Sequence, residues 1–127
     1  MKISKMTLIT MLLILTITSI GAAKPKDIPK PIFMGKVLEV EEADKYGNIR
    51  ILVNGYIGNC SVYEEKLYGV ISKDTKIMVD GCKKVKNNES LDINVGDTVY
   101  LELSNVMTLS IPPQSSIEKM LITRKEN

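Results

Sequence analysis

No segment of the chain keeps apolar residues at helical spacing for three turns, and its apolar residues fall instead in short runs broken by Gly, Asn, Asp and Pro. Two of those runs carry the two-residue period of a half-buried strand. In Val99-Tyr100-Leu101-Glu102-Leu103 the residues Val99, Leu101 and Leu103 share a face, and in Ile49-Arg50-Ile51-Leu52-Val53 the residues Ile49, Ile51 and Val53 do. A chain patterned in this way is confined to a mainly β fold.

Five strands are expected. The first runs from Ile32 to Glu41, where the alternation is imperfect, and a turn at Asp44-Lys45-Tyr46-Gly47-Asn48 joins it to the Ile49–Val53 strand as a hairpin. A third, bent strand combines Val70-Ile71-Ser72 with Thr75–Val79. The fourth follows the Val95-Gly96-Asp97-Thr98 turn, and the fifth is Ile117 to Thr123. Pro112 and Pro113 interrupt the path from the fourth strand to the fifth; a proline inside a central strand removes a ladder donor, so the pair belongs at a corner outside the sheet. A small five-stranded, partly open barrel of the OB type accommodates that corner and hides most sheet edges. Tyr63–Leu67, YEEKL, is expected to add one helical turn.

The amino terminus sets the compartment. Lys2 and Lys5 precede an apolar, threonine-rich run that ends in Gly21-Ala22-Ala23, the charged, apolar and small-residue order of a signal peptide. The alternative is an uncleaved membrane anchor, because Met6–Ala23 is 18 uncharged residues long. The chain is thus divided into a signal peptide at 1–23, a Pro-rich linker at 24–31 (KPKDIPKP) and a barrel domain at 32–127. Residues 1–23 hold two of the 17 basic and none of the 15 acidic side chains, so the remainder is formally neutral. Neutrality argues against a nucleic-acid partner, which needs a basic surplus to displace counterions from phosphates. A membrane partner is expected only if the apolar segment is retained.

Export places Cys60 and Cys82, the only cysteines, in an oxidising compartment, where a disulfide between them is expected to stabilise by roughly 3 kcal/mol. Free thiols are the alternative. Two sulfurs in a chain without histidine leave a zinc site short of ligands, so no metal and no cofactor is expected.

The absent histidine also removes the commonest general base and any Ser-His or Cys-His nucleophile. Carboxylates remain: Glu39, Glu41, Glu42 and Asp44 would have to converge in a cleft to support a small hydrolase, and otherwise decorate a solvated hairpin. The EEADKYGN stretch lacks the D-x-[DN]-x-[DN]-G pattern of a calcium loop. Asn59-Cys60-Ser61 and Asn88-Glu89-Ser90 fit the glycosylation pattern of a eukaryotic secretory pathway.

The motif order Gly35-Lys36-Val37, Ile51-Leu52-Val53, Val70-Ile71-Ser72-Lys73-Asp74-Thr75-Lys76-Ile77, Val95-Gly96-Asp97-Thr98-Val99 and Ile111-Pro112-Pro113-Gln114 resembles the YobA-like family of small exported or lipid-anchored Gram-positive bacterial domains. The resemblance implies an OB-like barrel and supplies no activity. Thr108-Leu109-Ser110-Ile111 stands where that family carries a Glu-Ser-aromatic stretch, and the cysteine pair is a further departure.

The reading that emerges is an exported, non-enzymatic binding or accessory domain of the cell envelope, its partner an envelope polymer or another exported protein. The alternatives are the carboxylate-dependent hydrolase and an anchored structural domain. Recognition is expected on the two longest connections, Gly55–Leu67 and Gly81–Leu91, joined by the disulfide. They would present Tyr56, Tyr63, Lys83, Lys84 and Lys86, stacking faces and positive charge suited to an anionic or carbohydrate partner.

Overall fold

The computed structural model describes residue 21 and residues 29–80, 83–85 and 91–124. Apart from Gly21, the expected signal peptide lies outside the described residues, as do most of the linker, Cys82 and Lys86. Seven strands and no helix occur among them: β1 (Ile32–Val40), β2 (Ile49–Gly58), β3 (Val62–Ile71), β4 (Lys76–Val79), β5 (Lys83–Val85), β6 (Thr98–Met107) and β7 (Gln114–Thr123).

Five of the seven form the barrel. β1, β2 and β3 make an antiparallel meander, β6 pairs with the free edge of β1, β7 pairs with β6, and a parallel contact of β7 with β3 closes the ring. The expected OB-like barrel is therefore present. The closure is short, Tyr68–Val70 against Gln114–Ser116, and the amino-terminal part of β3 has no partner strand on its outer edge among the described residues. The β4–β5 hairpin extends the sheet beyond β7.

Alternation supplies the core. Phe33 and Val37 of β1, Ile51, Val53 and Ile57 of β2, Leu67 and Ile71 of β3, Val99, Leu101 and Leu103 of β6, and Ile117, Met120 and Ile122 of β7 are buried. Burying each such side chain contributes about 1.5–3 kcal/mol. Three register shifts interrupt the pattern, one of them between Leu103 and Met107 of β6. In the other two, Val37 pairs with Val53 but Glu39 pairs with Leu52, leaving Leu38 extra, and Leu103 pairs with Ile117 while Glu102 pairs with Lys119, leaving Glu118 extra. Each extra residue shifts the inward phase by one, so β7 buries Ser115 and Ile117 before its bulge and Met120 and Ile122 after it.

Gly35 of β1 stands directly opposite Gly55 of β2. A Cβ on Gly55 would lie 2.1 Å from the Met34 carbonyl oxygen, and one on Gly35 would lie 2.2 Å from that of Asn54. The two backbones can approach this closely only because neither residue has a side chain.

Pro112 and Pro113 precede β7 at a corner, as their missing amides require, and the Pro113 carbonyl accepts from Tyr68 N–H at 2.9 Å, continuing the β3–β7 seam. Three expectations need correction. Tyr63–Leu67 is part of β3 rather than a helical turn, because Leu67 is drawn into the core and the whole segment pairs with Val53–Ile57 of β2. For the same reason Gly55–Leu67 is a strand hairpin with its turn at Asn59–Ser61, and not a long loop. The third expected strand is two strands, since a turn at Ser72–Thr75 separates the end of β3 from β4.

Candidate functional site

The Ser72–Thr75 turn fixes the entry to β4. Thr75 N–H donates to Ser72 O at 3.1 Å, Ser72 N–H donates to the Thr75 hydroxyl at 3.0 Å, and that buried hydroxyl donates to Ile117 O at 2.7 Å. The turn is thereby fastened to β7 at the point where β7 leaves β3. Beyond it β4 runs parallel to the second half of β7, so that Ile77 points into the core and Lys76 lies directly beside Lys119. β5 then returns antiparallel and sets Lys84 beside Met78.

Around this junction is a cavity of about 480 Å³ lined by Lys73, Asp74, Thr75, Lys76, Ile77, Met78, Lys84 and Lys119. Its volume falls in the range of small-molecule sites. Lys73, Lys76, Lys84 and Lys119 are exposed, and among the described residues none of them forms an ion pair. Lysines directly opposite one another on paired strands repel. Among the described residues, four ammonium groups against the single carboxylate of Asp74 give the cavity a positive potential, with Ile77 and Met78 as its apolar lining.

A second cavity adjoins the first through Asp74, Lys76 and Lys119 and has Lys30, Glu102 and Glu118 on its far side. There the charges are matched. Lys30 hydrogen-bonds Glu118 and sits 3.9 Å from Glu102, and the Glu118 contact holds the Lys30 pKa above the ordinary lysine value.

Of the four acids singled out from the sequence, Glu41, Glu42 and Asp44 line a third cavity with Asn48, Arg50, Val70 and Gln114, and Glu39 is not part of its lining. Two of them are already engaged. Arg50 donates to Glu41 through Nε and one terminal nitrogen, each at 2.7 Å, while its guanidinium lies 4.6 Å from the centre of the Tyr68 ring. The hydrogen bonds from Arg50 keep the Glu41 carboxyl below its ordinary pKa. Asp44 accepts from the Asn48 amide at 2.9 Å and the Tyr46 amide at 2.8 Å, and these bonds, Asn48 first, lower its pKa too. Both carboxylates serve the β1–β2 turn and its flanks. No group of three potential metal ligands from His, Cys, Asp and Glu occurs among the described residues.

The residues expected to form a binding surface are not gathered. Tyr56 pairs with Glu64 and Tyr63 with Ile57, so the two tyrosines, both exposed, project to opposite faces of the β2–β3 hairpin. Lys84 is on β5, which is reached from β3 only across β7 and β4. Lys83 begins β5, and Lys86 lies outside the described residues. Cys60 sits exposed at the β2–β3 turn as a free thiol, and no disulfide occurs among the described residues; the other half of the expected bridge, Cys82, lies outside them. Of the expected lysines, Lys84 lines the basic cavity. Lys73, Lys76 and Lys119 were not anticipated, because a register between distant strands, invisible in any local stretch, brings them together.

No protein-family model, curated protein or solved structure matches the chain.

Proposed function

We propose that the chain is an exported, non-enzymatic binding domain of the YobA-like type whose ligand is anionic and seats between Lys73, Lys76, Lys84 and Lys119. The observation that carries this reading is the direct pairing of Lys76 with Lys119, neither of which forms an ion pair among the described residues, although Glu102 stands opposite Lys119 on its other side. An anion placed between the two converts their repulsion into attraction, and Lys73 and Lys84 add to the field from either side. The apolar lining suits a ligand that carries hydrocarbon or sugar-ring surface beside its charge.

Because all four ammonium groups are solvated, affinity should be modest and should weaken with salt as screening shortens to roughly 10 Å at 0.1 M. The test is a titration of the protein with inorganic pyrophosphate and with inorganic polyphosphate, followed by amide chemical shifts. Shifts should concentrate on residues 73–78, 84 and 119, and Lys76→Ser with Lys119→Ser should raise Kd about tenfold or more, equivalent to ~1.4 kcal/mol. Equal binding by that folded double variant would reject the site.

A further inference from the structure

The β6–β7 connection projects the two most exposed large apolar side chains among the described residues, Leu109 and Ile111, at 102% and 99% exposure, with Val106 close behind at 77%. Such exposure on a loop usually accompanies a backbone free to rearrange. Here the loop is tied to itself. Thr108 N–H donates to Gln114 O and Gln114 N–H to the Thr108 hydroxyl, each at 2.9 Å. The Thr108 and Ser110 hydroxyls are 2.6 Å apart, and the Ser110 hydroxyl donates to Pro112 O at 3.0 Å. Pro113 O is taken by Tyr68 N–H and Val106 O by the Ser115 hydroxyl at 3.1 Å.

Two further features separate this loop from an ordinary surface turn. Residues 104–117 carry no charged side chain, in a chain that is one quarter charged. Pro112 and Pro113 have no N–H to desolvate, so the loop presents aliphatic side chains while the backbone at its base, Val106 O, Thr108 N–H, Pro112 O and Pro113 O, is already satisfied.

We propose that this loop is a wedge that inserts Leu109 and Ile111 into the interfacial layer of a lipid bilayer. Entering lipid is costly chiefly for charges and for unpaired backbone groups, and the loop lacks the first and reduces the second through its two prolines and the bonds at its base. A convex, narrow tip fits a deformable medium or a socket. The three cavities described above are all lined with charged residues, so none of them offers an apolar socket to the tip of a second copy. The apolar amino-terminal run, whether it acts as a signal or as an anchor, brings the chain to a membrane. The wedge is separate from the lysine cavity, and insertion of this kind depends little on salt.

The chain has no tryptophan, which gives the test its readout. Leu109→Trp introduces a single fluorophore at the tip, and Val62→Trp introduces one at another exposed site, on the β2–β3 hairpin. Each variant is mixed as full chain with phosphatidylcholine vesicles whose acyl chains are brominated, after urea unfolding has shown both to be folded. The tip fluorophore should shift to the blue and be quenched while the hairpin fluorophore is unaffected, even if the amino-terminal segment itself holds the protein on the vesicle. Adding Ile111→Asp to the tip variant should raise the lipid needed for half-maximal quenching about tenfold or more. An unquenched tip fluorophore overturns the proposal whether or not the protein sediments with lipid. Equal quenching at both positions overturns it as well, and so does a blue shift that depends on protein concentration and not on lipid, which would place the tip in a protein socket.

Discussion

Replacing Gly55 by alanine tests the claim that β1 and β2 approach more closely than side chains permit. The new methyl group would start 2.1 Å from the Met34 carbonyl oxygen and 2.5 Å from the Gly35 Cα, both backbone atoms that cannot rotate away. Relief requires the strands to part by roughly 1 Å, which takes the flanking ladder bonds out of hydrogen-bonding range. Losing about two such bonds costs ~2 kcal/mol net, and backbone overpacking costs about 1–3 kcal/mol more. The lower entropy of the unfolded alanine chain offsets about 0.4–1 kcal/mol. The expected loss is about 2–4 kcal/mol, seen in urea unfolding as a lower midpoint at unchanged slope, and in heating as a Tm lower by roughly 10 °C or more. Gly69 supplies the contrast. A methyl group there meets the Ile117 side chain, whose Cδ1 would be 2.6 Å away and can swing aside, so Gly69→Ala should cost only about 1 kcal/mol. Ile117→Val removes that Cδ1 and should make the pair of changes less costly than their sum. A Gly55→Ala loss below about 1 kcal/mol, or one no larger than that of Gly69→Ala, would refute the reasoning.

Two further outcomes follow from single side chains. Thr75→Val keeps the shape and deletes a buried hydroxyl that bonds both Ser72 N–H and Ile117 O, so denaturant unfolding should show a loss of about 1–3 kcal/mol. The pKa of Asp44 is depressed by the amides of Asn48 and Tyr46, so its contribution is complete above the unfolded value of about 4 and is lost as pH falls through the lower folded value. The Asn48 and Tyr46 amide resonances should therefore titrate with a midpoint below 4, and a midpoint at or above it would contradict the turn geometry.

The fold was legible where alternation was clean. Val99, Leu101 and Leu103 face inward as their spacing indicates, and the double proline stands outside the sheet because it has no amide to contribute. Legibility failed at the bulges: Leu38 and Glu118 each shift the inward phase by one, which is why the first expected strand alternates imperfectly and why Ile117, Met120 and Ile122 keep no period of two. Tyr63–Leu67 resembles a helical turn because Glu and Lys are good helix formers, yet pairing with β2 decides its state. The candidate site was hardly legible. Lys76 and Lys119 are separated by 43 positions, and only the parallel register of β4 with β7 makes them neighbours.

That register also bears on the order of assembly. β7 alone joins β6, β3 and β4, and every one of its pairings reaches back to residues well before it in the chain. A chain emerging amino terminus first can form the β1–β2–β3 meander early, since those strands are joined by tight turns. It cannot close the ring or shield Leu101, Leu103 and Ile71 from water until residues 114–123 arrive. A chain made amino terminus first therefore stays open until residues 114–123 have emerged, and becomes a barrel only once β7 is available.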